Sequence, residues 1–277
     1  QVEQLLFSKG ANICSNCWLA QGMAVEINFD GIPRDLALES AELFLERIPV
    51  DKNIQKNINR RKKMLLADMD STILQIETLD VIGHAIGKAR EIAEITEKAM
   101  NGDIDFEAAL KNRVKLLAGV NINQLIEFVL EKLLITQGAN TLVKTMKANG
   151  ATTALVSGGF TVITEIIREK LNFDLCYGNT LYVDSSIVTG NLKPPIIDGD
   201  AKAAILDQEC EKLEISKNDT LAVGDGANDI PMLTNAGLGV GFRPKPVVKN
   251  YASNIIEHCD LRGILFLQGF SESEFLT

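Results

Sequence analysis

The 277-residue chain lacks any apolar run approaching the ~20 residues that a bilayer-spanning helix requires. Its first residues also lack the basic region and apolar block of a secretory signal. We therefore expect no membrane partner, and the location we predict is cytoplasmic. Apolar residues make up 46% of the chain, which is enough for one large core or two smaller ones.

Positive charge is scarce, because the chain has 28 lysines and arginines but 37 aspartates and glutamates, which gives a net charge of −9. The only basic cluster is the four-residue run Arg60 to Lys63. Nucleic acid is therefore excluded as a partner. A protein this acidic can still bind an anion, but it needs a local lysine, a metal ion or a helix N-terminus to do so.

Cysteine and histidine are few, with five and two residues respectively. An odd number of cysteines in a chain of this length favours reduced thiols. Cys14 and Cys17 form a C-x-x-C with no second pair, and His84 and His258 lie far away in sequence. We expect both cysteines to be ordinary small buried residues. We expect Trp18 to pack inside the N-terminal part of the chain, and neither histidine to be catalytic.

Beyond residue 63, strand-like runs alternate with helical patterns, which predicts an α/β fold with a doubly wound (Rossmann-like) parallel sheet. A small β-hairpin insertion is also predicted, with Asp184-Ser185-Ser186 as its turn between Thr180–Val183 and Ile187–Gly190. The strand-like runs are Met64–Ala67, Thr152–Val156, Thr220–Val223, Leu238–Phe242 and Asn254–Glu257.

Residues 77–139 read as an inserted helical cap, because a connection between parallel strands needs far fewer residues. Its predicted helices are 77–86, 88–100, 105–118 and 122–134, with Asp105 as an N-cap and Gly87, Gly102 and Gly119 as stops. Residues 1–60 read as a small α+β module with room for little beyond one strand, Met23–Phe29, and one helix, Pro33–Ile48. The catalytic core is then 61–76 and 140–277.

Two carboxylates follow the first core strand at a spacing of i, i+2, Asp68 and Asp70. Because side chains alternate along a strand, both point to the same side. Neighbouring carboxylates repel each other unless a cation or a shared proton relieves the repulsion. This end of the strand is therefore a candidate site of chemistry.

Three further segments end predicted strands or begin predicted helices. Ser157-Gly158-Gly159 joins a hydroxyl to glycines that let the backbone approach an anion. Lys202 lies at the start of a helical run, and the segment from Asp225 to Asp229 carries two more carboxylates. Each segment alone is ordinary turn or surface chemistry. Because ligands bind at the carboxyl ends of parallel strands, their common placement predicts one site.

The order Asp-x-Asp-x-Thr, Ser-Gly-Gly, Lys and Gly-Asp-Gly-x-Asn-Asp, between about residues 64 and 267, resembles the haloacid dehalogenase superfamily and within it the phosphoserine phosphatases. Serine-specific members carry a glutamate shortly after the first motif and an arginine in the cap, and Glu77 and Arg113 match these positions. Many members also carry complete regulatory domains of the ACT type, so residues 1–60 resemble a partial one at most. A packing role or a homodimer contact stays open for this module.

The resemblance implies that Asp68 is the nucleophile that carries a transient phosphoryl group. Asp70 is then the general acid and base, and holds a proton at the start of each turnover. The implied cofactor is Mg²⁺, with Asp68, Asp225 and the backbone carbonyl of Asp70 as ligands and Asp229 orienting a metal-bound water.

For the substrate, the resemblance implies that Ser157, Gly158 and Lys202 hold the phosphoryl oxygens. The positioning of the site would also involve Asn228. The cap would supply specificity: Arg113 pairing with the substrate's carboxylate, Glu77 with its ammonium group, and Phe106 excluding water.

The predicted function is hydrolysis of phosphoserine to serine and phosphate, the last step of serine biosynthesis. One alternative is a phosphatase of the same fold that acts on another small phosphomonoester, such as a phosphorylated amine or amino alcohol. Another is a non-enzymatic, receiver-like phospho-acceptor. A substrate without a carboxylate would leave Arg113 without a partner. A signalling phosphoryl group should persist, whereas Asp70 would help to hydrolyse it.

Overall fold

The computed structural model describes residues 1–100 and 103–277, and its N-terminal part is larger than predicted. Two helices and two antiparallel strands occur where one of each was expected: α1 (Val2–Ser8), β1 (Asn12–Ala20), β2 (Ala24–Asp30) and α2 (Arg34–Phe44). The prediction of room for little more was therefore wrong. Strand β1 was not predicted because its residues are mostly exposed, small or polar and show no apolar alternation.

Exposure along β1 also overturns two burial predictions. Cys14 and Cys17 are exposed, and Trp18 is 53% exposed. The small core of this region, built around Leu6 and Ala37, lies on the side of the hairpin that faces the two helices. The three β1 side chains therefore lie outside this small core.

Within the described residues the main sheet has seven strands: β3 (Met64–Ala67), β4 (Thr152–Phe160), β5 (Leu175–Asp184), β6 (Ile187–Lys193), β7 (Thr220–Gly224), β8 (Leu238–Phe242) and β9 (Asn254–Ile256). Their order is β6-β5-β4-β3-β7-β8-β9, and only β6 runs antiparallel to its neighbour. The predicted α/β class with a mainly parallel sheet is confirmed.

The predicted hairpin is part of this sheet rather than a separate insertion. Its turn is where it was predicted, with Ser185 and Ser186 at φ values of 48° and 68°. Strand β5, however, begins at Leu175 and first pairs in parallel with β4. The run from Leu175 escaped prediction because its apolar part is only three residues long before Gly178 and Asn179.

In the part of the insert that is described, which leaves out residues 101 and 102, four helices follow β3: α3 (Thr78–Ala85), α4 (Ala89–Met100), α5 (Phe106–Lys115) and α6 (Ile122–Lys132). Asp105 is the predicted N-cap, since its side chain accepts a hydrogen bond of 2.7 Å from the Ala108 N–H. Gly87 follows the C-cap of α3 in the left-handed conformation, with a φ of 70°. Helix α5 ends at Lys115, four residues before the predicted stop at Gly119, whose φ is 87°. The predicted stop at Gly102 lies outside the described residues.

The remaining helices are α7 (Ala139–Ala148), α8 (Thr161–Leu171), α9 (Gly199–Leu213), α10 (Ile230–Asn235) and α11 (Gly263–Leu267). Strand β3 shows how they cover both sides of the sheet. Leu65 and Ala67 belong to one hydrophobic cluster with α7 and α8, and Leu66 belongs to a second cluster with α9 and α10. In the part of the chain that is described, no helix combines the length and apolarity needed to cross a membrane.

Candidate active site

Asp68 lies directly after β3 and is fixed there by the sheet. Its N–H donates to the Val223 carbonyl at 2.9 Å, which continues the pairing with β7, and the residue is only 4% exposed. The chain then leaves the sheet in a turn, with Ser71 in the left-handed region at φ 57°. Asp70 lies at the start of this turn, and its charge adds to the burial that raises the pKa of Asp68.

A fully buried lysine joins two of the site's carboxylates. The Lys202 ammonium, in the first turn of α9, is hydrogen-bonded to Asp68 and lies 2.7 Å from Asp229 Oδ1. Burial lowers the pKa of Lys202, but the two carboxylates outweigh it and leave that pKa above its ordinary value. The lysine therefore stays charged, and two of its three donors are in use.

Asp225 follows β7 and completes an acidic cluster. Carboxylate oxygens of Asp68, Asp225 and Asp229 all lie within 4.8 Å of one another, and all three residues are buried. Asp229 fits because residue 224 is glycine: a Cβ on Gly224 would lie 2.4 Å from the Asp229 carboxyl carbon. The other Asp229 oxygen accepts from the N–H groups of Asp225 and Gly226 at 3.1 and 3.0 Å.

The acidic cluster fits a divalent cation that prefers oxygen ligands, such as Mg²⁺. Burial and then the Asp229 charge raise the pKa of Asp68 well above its usual range, although Lys202 opposes them. Burial raises the pKa of Asp225 to about 6. A cation would relieve both effects. We predicted an outer role for Asp229, and its oxygens lie within the same cluster as those of Asp68 and Asp225.

Asp70 is held by a different set of bonds. Its Oδ1 accepts from the Thr78 N–H at 2.7 Å, and its Oδ2 accepts from the Ser157 hydroxyl at 3.1 Å. Burial, followed by the nearby charge of Glu77, raises the pKa of Asp70 to about 6. This carboxyl group therefore takes up a proton more readily than an exposed aspartate, as a general acid must.

Ser157 lies within β4, since that strand continues to Phe160 rather than ending at Val156 as predicted. Its pairing with β5 is irregular between Val156 and Phe160, which frees the backbone there. The Ser157 hydroxyl accepts from the Gly159 N–H at 2.8 Å. A Cβ on Gly159 would lie 3.2 Å from an Asp70 oxygen, so a larger residue would crowd the acid.

The helical insert reaches the sheet at Gly158. A Cβ on Gly158 would lie 3.2 Å from the tip of the Phe106 ring, so this ring covers the glycine backbone. Phe106 is the first residue of α5, and Arg113 lies two turns further along the same helix. The structure thus brings the predicted phosphate-binding loop and the predicted water-excluding ring together.

Arg113 is partly buried, and its Nε donates to the Ala109 carbonyl at 3.3 Å. Among the described residues no carboxylate lies within ion-pair distance of it. Burial lowers the pKa of Arg113, and the charges of Asp80 and Glu77, at the start of α3, oppose this effect. The guanidinium thus lies near the start of α3, and its charge is available to a ligand.

Glu77 is the N-cap residue of α3, and its Oε1 accepts from the Ser71 hydroxyl at 2.8 Å. Asn228 lies in the turn that follows β7, half-buried, with its side-chain oxygen packed against Gly226. Asn228 therefore lies at the carboxyl edge of the sheet, and Glu77 lies where the helical insert begins.

Two site residues were not predicted. The Lys245 ammonium lies 3.3 Å from Asp225 Oδ2 and adds a second lysine to Lys202 at the acidic cluster. The Thr72 hydroxyl, in the first motif, lies 3.5 Å from the other Asp225 oxygen. The sequence does hold one indication that Lys245 belongs to the site. It lies three residues after β8, at the edge where such sheets bind ligands.

Comparison with known proteins places this geometry in a family. The haloacid dehalogenase-like hydrolase family matches residues 65–234. The chain is 38% identical to a probable phosphoserine phosphatase of Schizosaccharomyces pombe over 85% of this chain and 82% of that protein. It is also 38% identical to a phosphoserine phosphatase of Archaeoglobus fulgidus over 79% of this chain, but it spans 64% of that longer protein.

A solved structure described as a phospho-aspartyl intermediate analogue of phosphoserine phosphatase is 39% identical, with a TM-score of 0.69. The match covers 74% of this chain and 98% of that one. The chain belongs to the haloacid dehalogenase-like hydrolases. Within them it falls in the phosphoserine phosphatase family, as the four motifs predicted.

Proposed function

We propose that this chain hydrolyses phosphoserine to serine and phosphate through a phosphoryl group carried on Asp68, the last step of serine biosynthesis. The observation that carries the proposal is the pair of unlike aspartates after β3. Asp68 is bonded to the buried ammonium of Lys202 and belongs to the acidic cluster that fits a cation, whereas Asp70 is bonded to the Ser157 hydroxyl and the Thr78 N–H. One is suited to be a nucleophile and the other to move a proton.

In the first step an Asp68 oxygen attacks phosphorus, and the bond between phosphorus and the serine oxygen breaks. Asp70 gives its proton to that departing oxygen, so serine leaves as a neutral alcohol. In the second step water attacks the phosphoryl group on Asp68 and gives a proton back to Asp70. Phosphate leaves, and both aspartates return to their starting states.

The phosphoryl oxygens are held by the third Lys202 donor, which the two carboxylates leave free, together with the Ser157 hydroxyl and the Gly158 amide. Mg²⁺, the cofactor we propose, would be held by Asp68, Asp225 and the Asp70 carbonyl, near Asp229. When bound, it neutralises charge on these carboxylates and on the phosphate.

The helical insert would select the substrate. The partly buried Arg113 would take the carboxylate of phosphoserine, Glu77 would take the ammonium group, and Phe106 would keep water out. Asn228 would help to position the phosphate end. A carboxylate-free phosphomonoester explains Arg113 less well, because no described carboxylate pairs with it. A receiver-like role explains neither Asp70 nor the helical insert.

We further propose a division of the chain into a small N-terminal module (1–60), a catalytic core (61–76 and 140–277) and a cap (77–139). The separate hydrophobic cluster around Leu6 and Ala37 supports the N-terminal module, and the Phe106 ring beside Gly158 supports a cap that covers the core at the site. A homodimer and a cytoplasmic location stay predictions.

The experiment is phosphate release from phosphoserine, phosphothreonine, phosphoethanolamine and sugar phosphates, each with Mg²⁺ and with EDTA. We expect phosphoserine to be preferred by at least about 100-fold in kcat/KM over phosphoethanolamine, because the latter lacks the carboxylate that Arg113 would bind. EDTA should abolish turnover of every substrate. Equal rates on the two compounds would contradict the assigned substrate, and full activity in EDTA would contradict the metal.

A further inference from the structure

Lys245 is bound to the acidic site through both its backbone and its side chain. It lies in the loop after β8, and its N–H donates to the Asp225 carbonyl at 2.8 Å. Its ammonium lies 3.3 Å from Asp225 Oδ2 and 3.7 Å from Glu77 Oε1. The loop thus carries a cation to the acidic cluster.

The charges around this ammonium are unevenly distributed. Lys202 forms ion pairs with Asp68 and Asp229 but not with Asp225. Among the described residues, Lys245 is the one cation within ion-pair distance of Asp225. The Asp225 side chain is 7% exposed, and an uncompensated carboxylate at that depth is costly. The Lys245 side chain is 56% exposed, so its ammonium can move into water while the backbone bond keeps the loop in place.

We propose that Lys245 is a positioning residue that serves as the counter-ion of Asp225 in the metal-free protein and competes with the divalent cation for that carboxylate. The inference rests on the proposed function only in taking Asp225 as a metal ligand. Lys245 holds the carboxylate in its ligating position, and the arriving cation displaces the ammonium toward Glu77 and solvent.

The sign of the expected effect distinguishes competition from simple damage. Replacing Lys245 by a neutral residue removes a charge that the cation must displace, so metal affinity should rise. A half-exposed ion pair is worth up to about 1 kcal/mol, which corresponds to an affinity change of about fivefold. A variant that merely disturbed the site would bind the cation more weakly instead.

The test is calorimetric titration of the substrate-free protein with Mg²⁺ at constant ionic strength. We expect Lys245→Met to lower the Kd for Mg²⁺ about fivefold. Lys245→Arg keeps the charge and should stay within about twofold of the wild type. Lys249→Met is the matched control, because Lys249 follows in the same loop and pairs with Glu257. An unchanged or raised Kd in Lys245→Met would overturn the proposal.

The titration contains no substrate, so its result is independent of the substrate assignment. A wild-type protein that binds Mg²⁺ but releases no phosphate from phosphoserine would refute the proposed function alone. Tighter Mg²⁺ binding by Lys245→Met would still support the role of Lys245. Conversely, the wild type could turn over phosphoserine normally while Lys245→Met shows an unchanged Kd for Mg²⁺. That result would refute the Lys245 proposal alone.

Discussion

Asp68→Asn should abolish phosphoserine turnover, with a fall in kcat of at least about 10⁴-fold in saturating Mg²⁺. The amide keeps the volume of the carboxylate and can still accept a bond from Lys202, but it cannot form the phosphorylated intermediate. Steady-state phosphate release measures the effect. Asp207→Asn is the control, because Asp207 lies on α9 in an exposed pair with Lys217 and should keep full activity.

The fold of Asp68→Asn is checked separately by thermal unfolding. A folded variant that still turned over at a few per cent of the wild-type rate would rule out Asp68 as the nucleophile. The remaining activity would then point to direct attack by water.

Arg113→Ala should lower kcat/KM on phosphoserine by about 100- to 1000-fold, which is the range for removing one partner of a buried charged pair. On phosphoethanolamine the same variant should lose less than about threefold, because that compound offers the guanidinium no carboxylate. The measurement is the ratio of the two kcat/KM values in each protein.

Lys111→Ala is the matched control for this prediction. Lys111 lies on the same helix, is half-exposed and pairs with Glu107 one turn earlier. It should leave both substrates unaffected. Equal losses of Arg113→Ala on the two substrates would show that Arg113 supports the shape of the insert rather than recognising a carboxylate.

The part of the site that follows from strand ends was predictable from the sequence. Asp68, Lys202 and Asp225 each adjoin a strong strand or helix signal, and parallel strands bring such ends to one edge. The correct fold class was therefore enough to predict that these three residues lie in one site. The buried cluster of Asp68, Asp225 and Asp229 agrees with that prediction.

Lys245 shows what strand logic cannot supply. In sequence it is one more lysine in a loop rich in proline and lysine, and the bonds of its N–H and its ammonium to Asp225 bring it to the site. Strand β1 was missed for a related reason. It has little apolar pattern because it pairs with one strand and is exposed along nearly its whole length.

The central claim is that Asp68 carries the phosphoryl group during turnover. A rapid-quench experiment tests this claim directly. The Mg²⁺-loaded protein is mixed with phosphoserine and quenched in acid within one turnover, and its peptides are mapped by mass spectrometry. We predict a phosphorylated peptide with the phosphoryl group on Asp68, absent from Asp68→Asn. Turnover at the full rate with no phosphorylated peptide, or with the phosphoryl group on Ser71 or Ser157, would contradict the claim.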